Sequence, residues 1–260
     1  DITTDTVTFT LVSGEDHVGI YFGDVLAQTL QGYVYHDTNH DATRQPTEVG
    51  TGLDGWYVKV YDIGATEALA AYPVDPATGY WSGPDVGANI LLILDDNDDL
   101  SDILPSRPAG WIGTEAPDQI IGPLAPTPEL GDQNFGLYHG TTLTGTIFVD
   151  DGAGGGSPGD GLPNGTEAPL ANVVVRAYNT ASSFNVQTTT DADGNYTIWI
   201  PASELGGVIT IEEENPTGYL SISGHPGNTG GQYFIDADTI VFTHSSTEPY
   251  HSVNFGDVPL

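Results

Sequence analysis

The feature that most constrains the fold of this 260-residue chain is that its sequence repeats. Three pairs of similar segments occur in the same order in each half: LQGYVYHD (30–37) with LTGTIFVD (143–150), DGWYVKVYD (54–62) with ANVVVRAYN (171–179), and QNFGLY (133–138) with VNFGDV (253–258). Because internal similarity of this kind marks a structural unit that occurs more than once, we predict two tandem domains. Repeat 1 covers residues 30–140 and repeat 2 covers residues 141–260.

A third, partial copy precedes the two repeats. The segment DTVTFTLVSGEDHVGIYFGDV (5–25) is similar to DTIVFTHSSTEPYHSVNFGDV (238–258), which closes repeat 2. Residues 1–29 are therefore predicted to be an N-terminal strand segment that resembles the end of a repeat. Because a two-stranded ribbon is marginal in water, we expect it to pair with another chain or with an upstream half-repeat. The alternative is a ribbon folded back on repeat 1.

Each repeat has the sequence pattern of an antiparallel β-sandwich. Segments of about four to eight residues rich in Val, Ile, Tyr and Thr alternate with turns rich in Gly, Pro and Asp. Side chains alternate between the faces of a strand, so we expect Val58 and Val60 to point inward and Lys59 outward. The same alternation in repeat 2 directs Val175 inward and Arg176 outward. The predicted fold class is all-β: two tandem antiparallel Ig-like or prealbumin-like β-sandwich domains after an N-terminal strand segment.

The segment HDTNHDATRQPTE (36–48) has the spacing of a calcium-binding loop. Asp37, Asn39 and Asp41 stand at alternate positions, and Glu48 follows Asp37 by eleven residues, as in an EF-hand loop, although Ala42 replaces the turn glycine. Calcium prefers carboxylate, amide and carbonyl oxygens, so a backbone carbonyl in this turn would complete the set. The candidate ligands are Asp37, Asn39, Asp41, Thr43 and Glu48.

Repeat 2 has a similar oxygen-rich loop at the corresponding place. Aligned on their final glutamates, the two loops match at three pairs of positions: Asp37 with Asp150, Asp41 with Asp160, and Glu48 with Glu167. The loop of repeat 2 is longer, mainly through added glycines. Asp and Asn also favour solvated turns for backbone reasons alone, but the shared register favours a cation site in both repeats.

The charge of the chain restricts its partners. Asp and Glu number 36 against 4 Lys and Arg, which gives a net charge of −32. Nucleic acid and anionic membrane surfaces are poor partners for such a field, so we predict neither. Bound cations would reduce the self-repulsion, and a saline habitat is a second explanation. Without cysteine, the chain has no disulfides and no thiol chemistry.

The first residue of the chain and the lack of long apolar stretches bear on where the protein is located. It begins at Asp1 rather than at a methionine, so we expect a processed or excised product. No apolar stretch is long enough to span a membrane, and membrane insertion is not predicted. An extracellular or cell-surface location fits these features.

The order of these motifs is similar to that of a known family. GYVYHDTNHDATRQPTEVG, followed by LDGWYVKVYD, TTTDADGNYTIWI, NPTGYLS and VNFGDV, resembles the calcium-binding B-type repeats of bacterial serine-aspartate-repeat surface adhesins. The wider relatives are collagen-adhesin B-type and carboxypeptidase-regulatory-like sandwiches. The resemblance covers nearly the whole chain and implies a rigid, calcium-stiffened structural module that is not an enzyme. The calcium ligands that it implies are Asp37, Asn39, Asp41 and Glu48 in repeat 1, and Asp150, Asp160 and Glu167 in repeat 2.

The chain departs from the family at several places. Ala42 stands where the family has glycine, and the second loop carries a long insertion that would displace Asp151 or Asp160. Some relatives carry a Lys–Asn isopeptide bond. The single lysine here, Lys59, is expected on an outward face and is matched by Arg176 in repeat 2, so no such bond is expected.

Three functions are compatible with these features. The leading hypothesis is a non-catalytic structural protein of a surface stalk, fibre or filament that assembles end to end with copies of itself through the N-terminal strands. The alternative is an adhesin module for a carbohydrate or a host protein, with exposed rings at Trp81, Trp111, Tyr138 and Tyr250; burial of those rings would count against it. A glycoside hydrolase with paired acids is disfavoured, because so many carboxylates produce a suitable pair by chance.

One further acidic segment has two interpretations. DDNDDLSD (95–102) follows a predicted strand and carries five aspartates. A second cation site is conceivable, but a solvated loop is the preferred interpretation.

Overall fold

The structure is a computed structural model that describes residues 29–84, 89–124 and 131–260. The predicted N-terminal strand segment lies outside the described residues except for Thr29. The strands up to the middle of the chain are β1 (Thr29–His36), β2 (Tyr57–Asp62), β3 (Ala70–Pro73), β4 (Tyr80–Pro84), β5 (Ile90–Asp95), β6 (Trp111–Gly113), β7 (Ile120–Leu124) and β8 (Phe135–Val149). The remaining strands are β9 (Val174–Tyr178), β10 (Asn185–Thr189), β11 (Asn195–Pro201), β12 (Val208–Glu214), β13 (Tyr219–Pro226), β14 (Gln232–Phe234), β15 (Thr239–Thr243) and β16 (Val253–Pro259). Single 3-10 turns occur at Ala153–Gly155, Ala202–Glu204, Gly227–Thr229 and Ile235–Ala237.

The strands form two sandwiches with the same plan. In repeat 1, the strand order is β4-β1-β8-β6 in one sheet and β3-β2-β5-β7 in the other. In repeat 2, it is β11-β8-β16-β13 and β10-β9-β12-β15-β14. The all-β, tandem-sandwich prediction is therefore confirmed. Most neighbours are antiparallel, but the last strand of each repeat pairs in parallel with the first, β8 with β1 and β16 with β8.

Strand β8 belongs to both repeats. Its first residues pair with β1 and β6 of repeat 1, where Val34 lies opposite Phe135. From Gly140 onward the same strand pairs with β11, and Ile147 lies opposite Phe255 of β16. The predicted boundary between residues 140 and 141 falls within this strand, so the chain passes from one sandwich to the next without a loop.

Each repeat has its own hydrophobic core. The buried cluster of repeat 1 is Leu30, Val34, Val58, Val60, Val74, Trp81, Ile90, Leu92, Leu94, Trp111, Phe135 and Leu137. The buried cluster of repeat 2 is Leu143, Ile147, Val173, Val175, Ala177, Tyr196, Ile198, Ile200, Ile209, Ile211, Ile240, Phe242, Tyr250, Val253 and Phe255. The predicted inward positions Val58, Val60 and Val175 all belong to these clusters, and the side chain of Arg176 is 46% exposed.

The outward assignment of Lys59 is wrong, because its side chain is fully buried. The acidic segment 95–102, which follows β5, curls over this face of β2. The Nζ atom lies 2.5 Å from Asp95 Oδ2 and 3.0 Å from Asn97 Oδ1. It also donates to the backbone carbonyls of Asp99 and Asp102, at 2.8 and 2.9 Å. The loop is therefore organised around an internal cation, which is the ammonium group of Lys59.

Candidate functional site

The loop after β1 is held together by its own carboxylates. The carboxylate of Asp37 is fully buried and accepts backbone hydrogen bonds from Asp41 at 3.2 Å and from Ala42 at 2.9 Å. Ala42 has φ of +58° and His40 has φ of +49°, both in the left-handed region. Ala42 thus takes the turn conformation that glycine provides more cheaply, at a cost of about 1 kcal/mol.

Asp41 and Glu48 close the same loop. Asp41 Oδ1 accepts from the Thr43 N–H at 2.9 Å, and Asp41 Oδ2 accepts from the side-chain amides of Asn39 and Gln45 at 2.9 and 2.8 Å. The hydrogen bond from Gln45 is the main reason that the pKa of Asp41 is lowered. The Glu48 carboxylate is buried and bridges the loop, because its oxygens accept from the backbone N–H groups of residues 38 and 45 at 3.0 and 2.9 Å.

The loop of repeat 2 uses the same arrangement. Asp150 is fully buried and accepts from the backbone of Gly159 and Gly161, both of which have positive φ. Three further contacts match those of the first loop: Leu162 N to Asp160 Oδ1 at 2.9 Å, Asn164 Nδ2 to Asp160 Oδ2 at 3.0 Å, and Asn164 N to Glu167 Oε2 at 2.9 Å. The inserted glycines form the 3-10 turn Ala153–Gly155. The two loops are therefore equivalent in geometry as well as in sequence position.

The chemistry of these loops suits a hard cation. Each loop presents three carboxylates together with amide and carbonyl oxygens, which are the ligands that calcium prefers. In the described part of the chain, no three Asp, Glu, His or Cys side chains form a group that could hold a metal ion. Both oxygens of Asp37 and of Glu48 accept backbone N–H groups instead. Calcium would therefore have to draw the acidic side chains towards a common centre.

The first loop also touches repeat 2. The ring of His40 stacks on Trp199 of β11, with centroids 4.7 Å apart and an angle of 8° between the planes. Tyr138 lies edge-on to both rings, 5.7 Å from His40 and 5.1 Å from Trp199. Burial lowers the pKa of His40, so at neutral pH a neutral imidazole lies against the indole. The conformation of the first loop is thus coupled to the junction between the repeats.

Sequence reasoning missed a group of buried acids in repeat 2. Glu213 and Asp257 are 4% and 0% exposed, and the Glu213 carboxyl shares hydrogen bonds with the carboxyls of Asp257 and Asp238. Burial, followed by the charges of Asp257 and Asp238, raises the pKa of Glu213 to about 10. Burial also raises the pKa of Asp257 and of Asp238, the latter despite hydrogen bonds from Ser221 and Tyr233.

The signal for these acids was present in the repeat alignment. Strand register places Glu213 opposite Val175, as Leu94 is placed opposite Val58. Asp257 lies at the position of Leu137 in the matched segments VNFGDV and QNFGLY. Two leucines of the first core are therefore replaced by two acids in the second.

The aromatic rings that the adhesin alternative requires on the surface are buried. Trp81, Trp111, Tyr138 and Tyr250 are only 1%, 7%, 6% and 3% exposed. Trp81 and Tyr250 belong to the two cores, and Trp111 stacks on His139 at 4.5 Å. The prediction of exposed aromatic side chains at these positions is wrong, because the rings complete the sandwiches and their junction.

Comparison with known proteins gives similarity at the level of solved structures. No protein-family model and no curated protein matches the sequence. The chain is similar to the Bacillus anthracis TIE protein, with 15% identity and a TM-score of 0.32; the match covers 90% of this chain and 34%, about a third, of that protein. It is similar to the shaft pilin SpaA from Lactobacillus rhamnosus GG (D295N mutant), with 11% identity, a TM-score of 0.29, and 90% and 99% of the two chains covered. It is also similar to GBS52, the minor pilin of Streptococcus agalactiae, with 10% identity, a TM-score of 0.28, and 90% and 98% covered.

Among the described residues, none of the helical segments has the length and apolar character needed to cross a bilayer.

Proposed function

We propose that this protein is a non-catalytic, extracellular structural module whose β-sandwich repeats are stiffened by calcium and assemble end to end into a surface stalk, fibre or filament. The observation that carries the proposal is the pair of equivalent loops, in which a buried aspartate follows the first strand of each repeat. The proposed ligands are Asp37, Asn39, Asp41, Thr43 and Glu48 in repeat 1, and Asp150, Asp160 and Glu167 in repeat 2.

Two features support stiffening rather than storage of the ion. The first loop stacks against Trp199 of the next repeat through His40, so ordering the loop also orders the junction. The second is the net charge of −32, because bound divalent ions would reduce repulsion within a compact chain. The residues would hold the ion, and the ion would supply charge neutralisation and fixed loop geometry.

Calcium is expected to raise the melting temperature of the chain. At a hundredfold excess over Kd, ligand binding adds about 2.7 kcal/mol to folded-state stability, which corresponds to roughly 10 °C for a domain of this size. The measurement is thermal unfolding in excess EDTA and in millimolar calcium. Identical midpoints in the two buffers would contradict the proposal.

A matched pair of variants locates the effect. Asp41→Asn should reduce the calcium-induced rise in the melting temperature of repeat 1 by half or more, because it deletes the charge of a proposed ligand. Asp75→Asn is the control, since Asp75 is also exposed and also accepts backbone hydrogen bonds in a turn, from residues 77 and 78, but lies outside the loop. Equal calcium shifts in the two variants would exclude the first loop as the site.

The N-terminal strands are proposed to join one copy to another. Residues 5–25 repeat the closing strands of repeat 2 in sequence, and both described repeats already contain their own last strand. Addition of a strand to a neighbour would propagate from head to tail. Deletion of residues 1–25 should abolish polymers in multi-angle light scattering. An intact polymer after the deletion, or a monomer before it, would discard this mode of assembly.

A further inference from the structure

The end of repeat 1 that meets repeat 2 is a defined structural unit. A turn before β6 places the Trp111 N–H 3.1 Å from the Pro108 carbonyl, and Gly140 donates to the Gly110 carbonyl at 2.9 Å. Strand pairing sets Trp111 opposite His139. This unit forms the surface on which repeat 2 sits.

Repeat 2 covers this surface of repeat 1. A Cβ atom added to Gly110 would lie 3.4 Å from Cγ2 of Thr247, so the turn is in contact with repeat 2. Trp199 covers Tyr138, whose exposure is only 6%. Repeat 1 therefore contacts repeat 2 through three segments: the turn before β6, the first part of β8, and the loop after β1.

Repeat 2 has the same unit at its own far end. The Tyr219 N–H lies 3.0 Å from the Pro216 carbonyl, and Leu260 donates to the Gly218 carbonyl at 2.9 Å. Strand pairing sets Tyr219 opposite Pro259, which is the counterpart of Trp111 opposite His139. The far end of repeat 2 therefore has the same turn and strand pairing as the end of repeat 1 that contacts repeat 2.

This second surface is apolar, and none of the described residues covers it. Leu220, the counterpart of Ile112, is 52% exposed, and Phe234 and Ile235 are 47% and 54% exposed. The last two belong to a segment that packs against β13 and that is longer than the connection at the same place in repeat 1. We call Tyr219, Leu220, Phe234 and Ile235 the distal face.

We propose that the distal face docks a second copy of this chain, seated through its repeat 1 in the way that repeat 2 is seated on repeat 1. Among the described residues, the equivalent surface of repeat 1 is covered by a sandwich repeat, which makes another sandwich repeat the fitting partner for the distal face. In the loop of repeat 2, Gly159 corresponds to His40, and a Cβ atom added to Gly159 would lie 3.9 Å from Cδ1 of Ile222, two residues after Leu220. The inference rests on the proposed end-to-end assembly and identifies the surface that it uses.

The test compares three variants of the full chain by sedimentation velocity over a range of concentrations in millimolar calcium. Leu220→Asp and Ile235→Asp should each lower the self-association constant about tenfold or more, because each would bury an unpaired carboxylate in an apolar interface. Val208→Asp is the matched control. It adds the same charge to the same repeat, and Val208 is 52% exposed, as Leu220 is. Val208 begins β12, whereas the distal face follows the other end of that strand. This variant should associate like the wild type.

Two results would overturn the proposal. One is association of Leu220→Asp and Ile235→Asp equal to that of the wild type, with their melting temperatures showing that they are folded. The other is a wild-type chain that stays monomeric at every concentration. The calcium-dependent shift in melting temperature, measured on the same variants, separates failure of this interface from failure of the calcium proposal.

Discussion

Lys59→Met is expected to destabilise repeat 1 by about 3–5 kcal/mol, which is enough to unfold a marginal domain. The substitution keeps most of the apolar stem but removes the ammonium that faces Asp95, Asn97 and two backbone carbonyls. Asp95 is fully buried, so it would be left as an uncompensated buried charge in the midst of other aspartates. Denaturant unfolding followed by tryptophan fluorescence measures the loss, since three of the four tryptophans lie in repeat 1.

Arg176→Met provides the control for this prediction. Arg176 occupies the position of Lys59 in repeat 2, but its ion pair with Glu214 is 3.5 Å long and both side chains are exposed. Such pairs contribute about 0–1 kcal/mol, so this variant should unfold almost like the wild type. Similar losses in both variants would show that burial around Lys59 is not what makes it important.

The double substitution Glu213→Leu with Asp257→Leu is expected to stabilise repeat 2 at neutral pH by about 1–4 kcal/mol. It installs the residues that repeat 1 carries at the same places, Leu94 and Leu137, both of which are fully or almost fully buried. It also removes two acids from the core, where burial raises the pKa of both carboxyls. Unfolding in EDTA, monitored by circular dichroism, is the measurement, and loss of stability in the double variant would refute the argument.

The same acids predict how stability depends on pH. The pKa of Glu213 is about 10 in the folded chain, against about 4.3 for an unperturbed glutamate. Because the folded value is the higher one, the protonated form favours folding, and its contribution is complete below about pH 4. Stability should then fall progressively as the pH rises, until the folded pKa is passed. Wild-type repeat 2 should therefore unfold more easily near pH 9 than near pH 5, whereas the double variant should show a flatter profile.

The overall fold could be predicted because its signals are local. Alternation along DGWYVKVYD and ANVVVRAYN identifies inward residues such as Val58 and Val175 without any knowledge of the opposite sheet. The position of the two carboxylate-rich loops could also be predicted, since each directly follows a strand whose sequence recurs. Whether those loops bind calcium is a matter of ligand convergence, which spacing alone does not determine.

The environment of Lys59 could not be predicted in the same way. Strand alternation assigns a residue to a face but does not show what lies over that face, and here a loop 36 residues further along the chain supplies the cover. The stacking of His40 on Trp199 has the same origin, because it depends on how two sandwiches meet. Glu213 is different, because the repeat alignment alone places it at the buried position that Leu94 occupies in repeat 1.

The continuity of β8 has a mechanical consequence. Tension applied along the chain enters repeat 1 through β1 and leaves it through the first part of β8, and these two segments are hydrogen-bonded neighbours running in the same direction. Their bonds are therefore loaded together in shear, rather than one after another as in an unzipping hairpin. Because the pulled strand continues directly into repeat 2, where it pairs in parallel with β16, there is no slack between the domains. Force passes from one sandwich to the next along a single taut backbone segment.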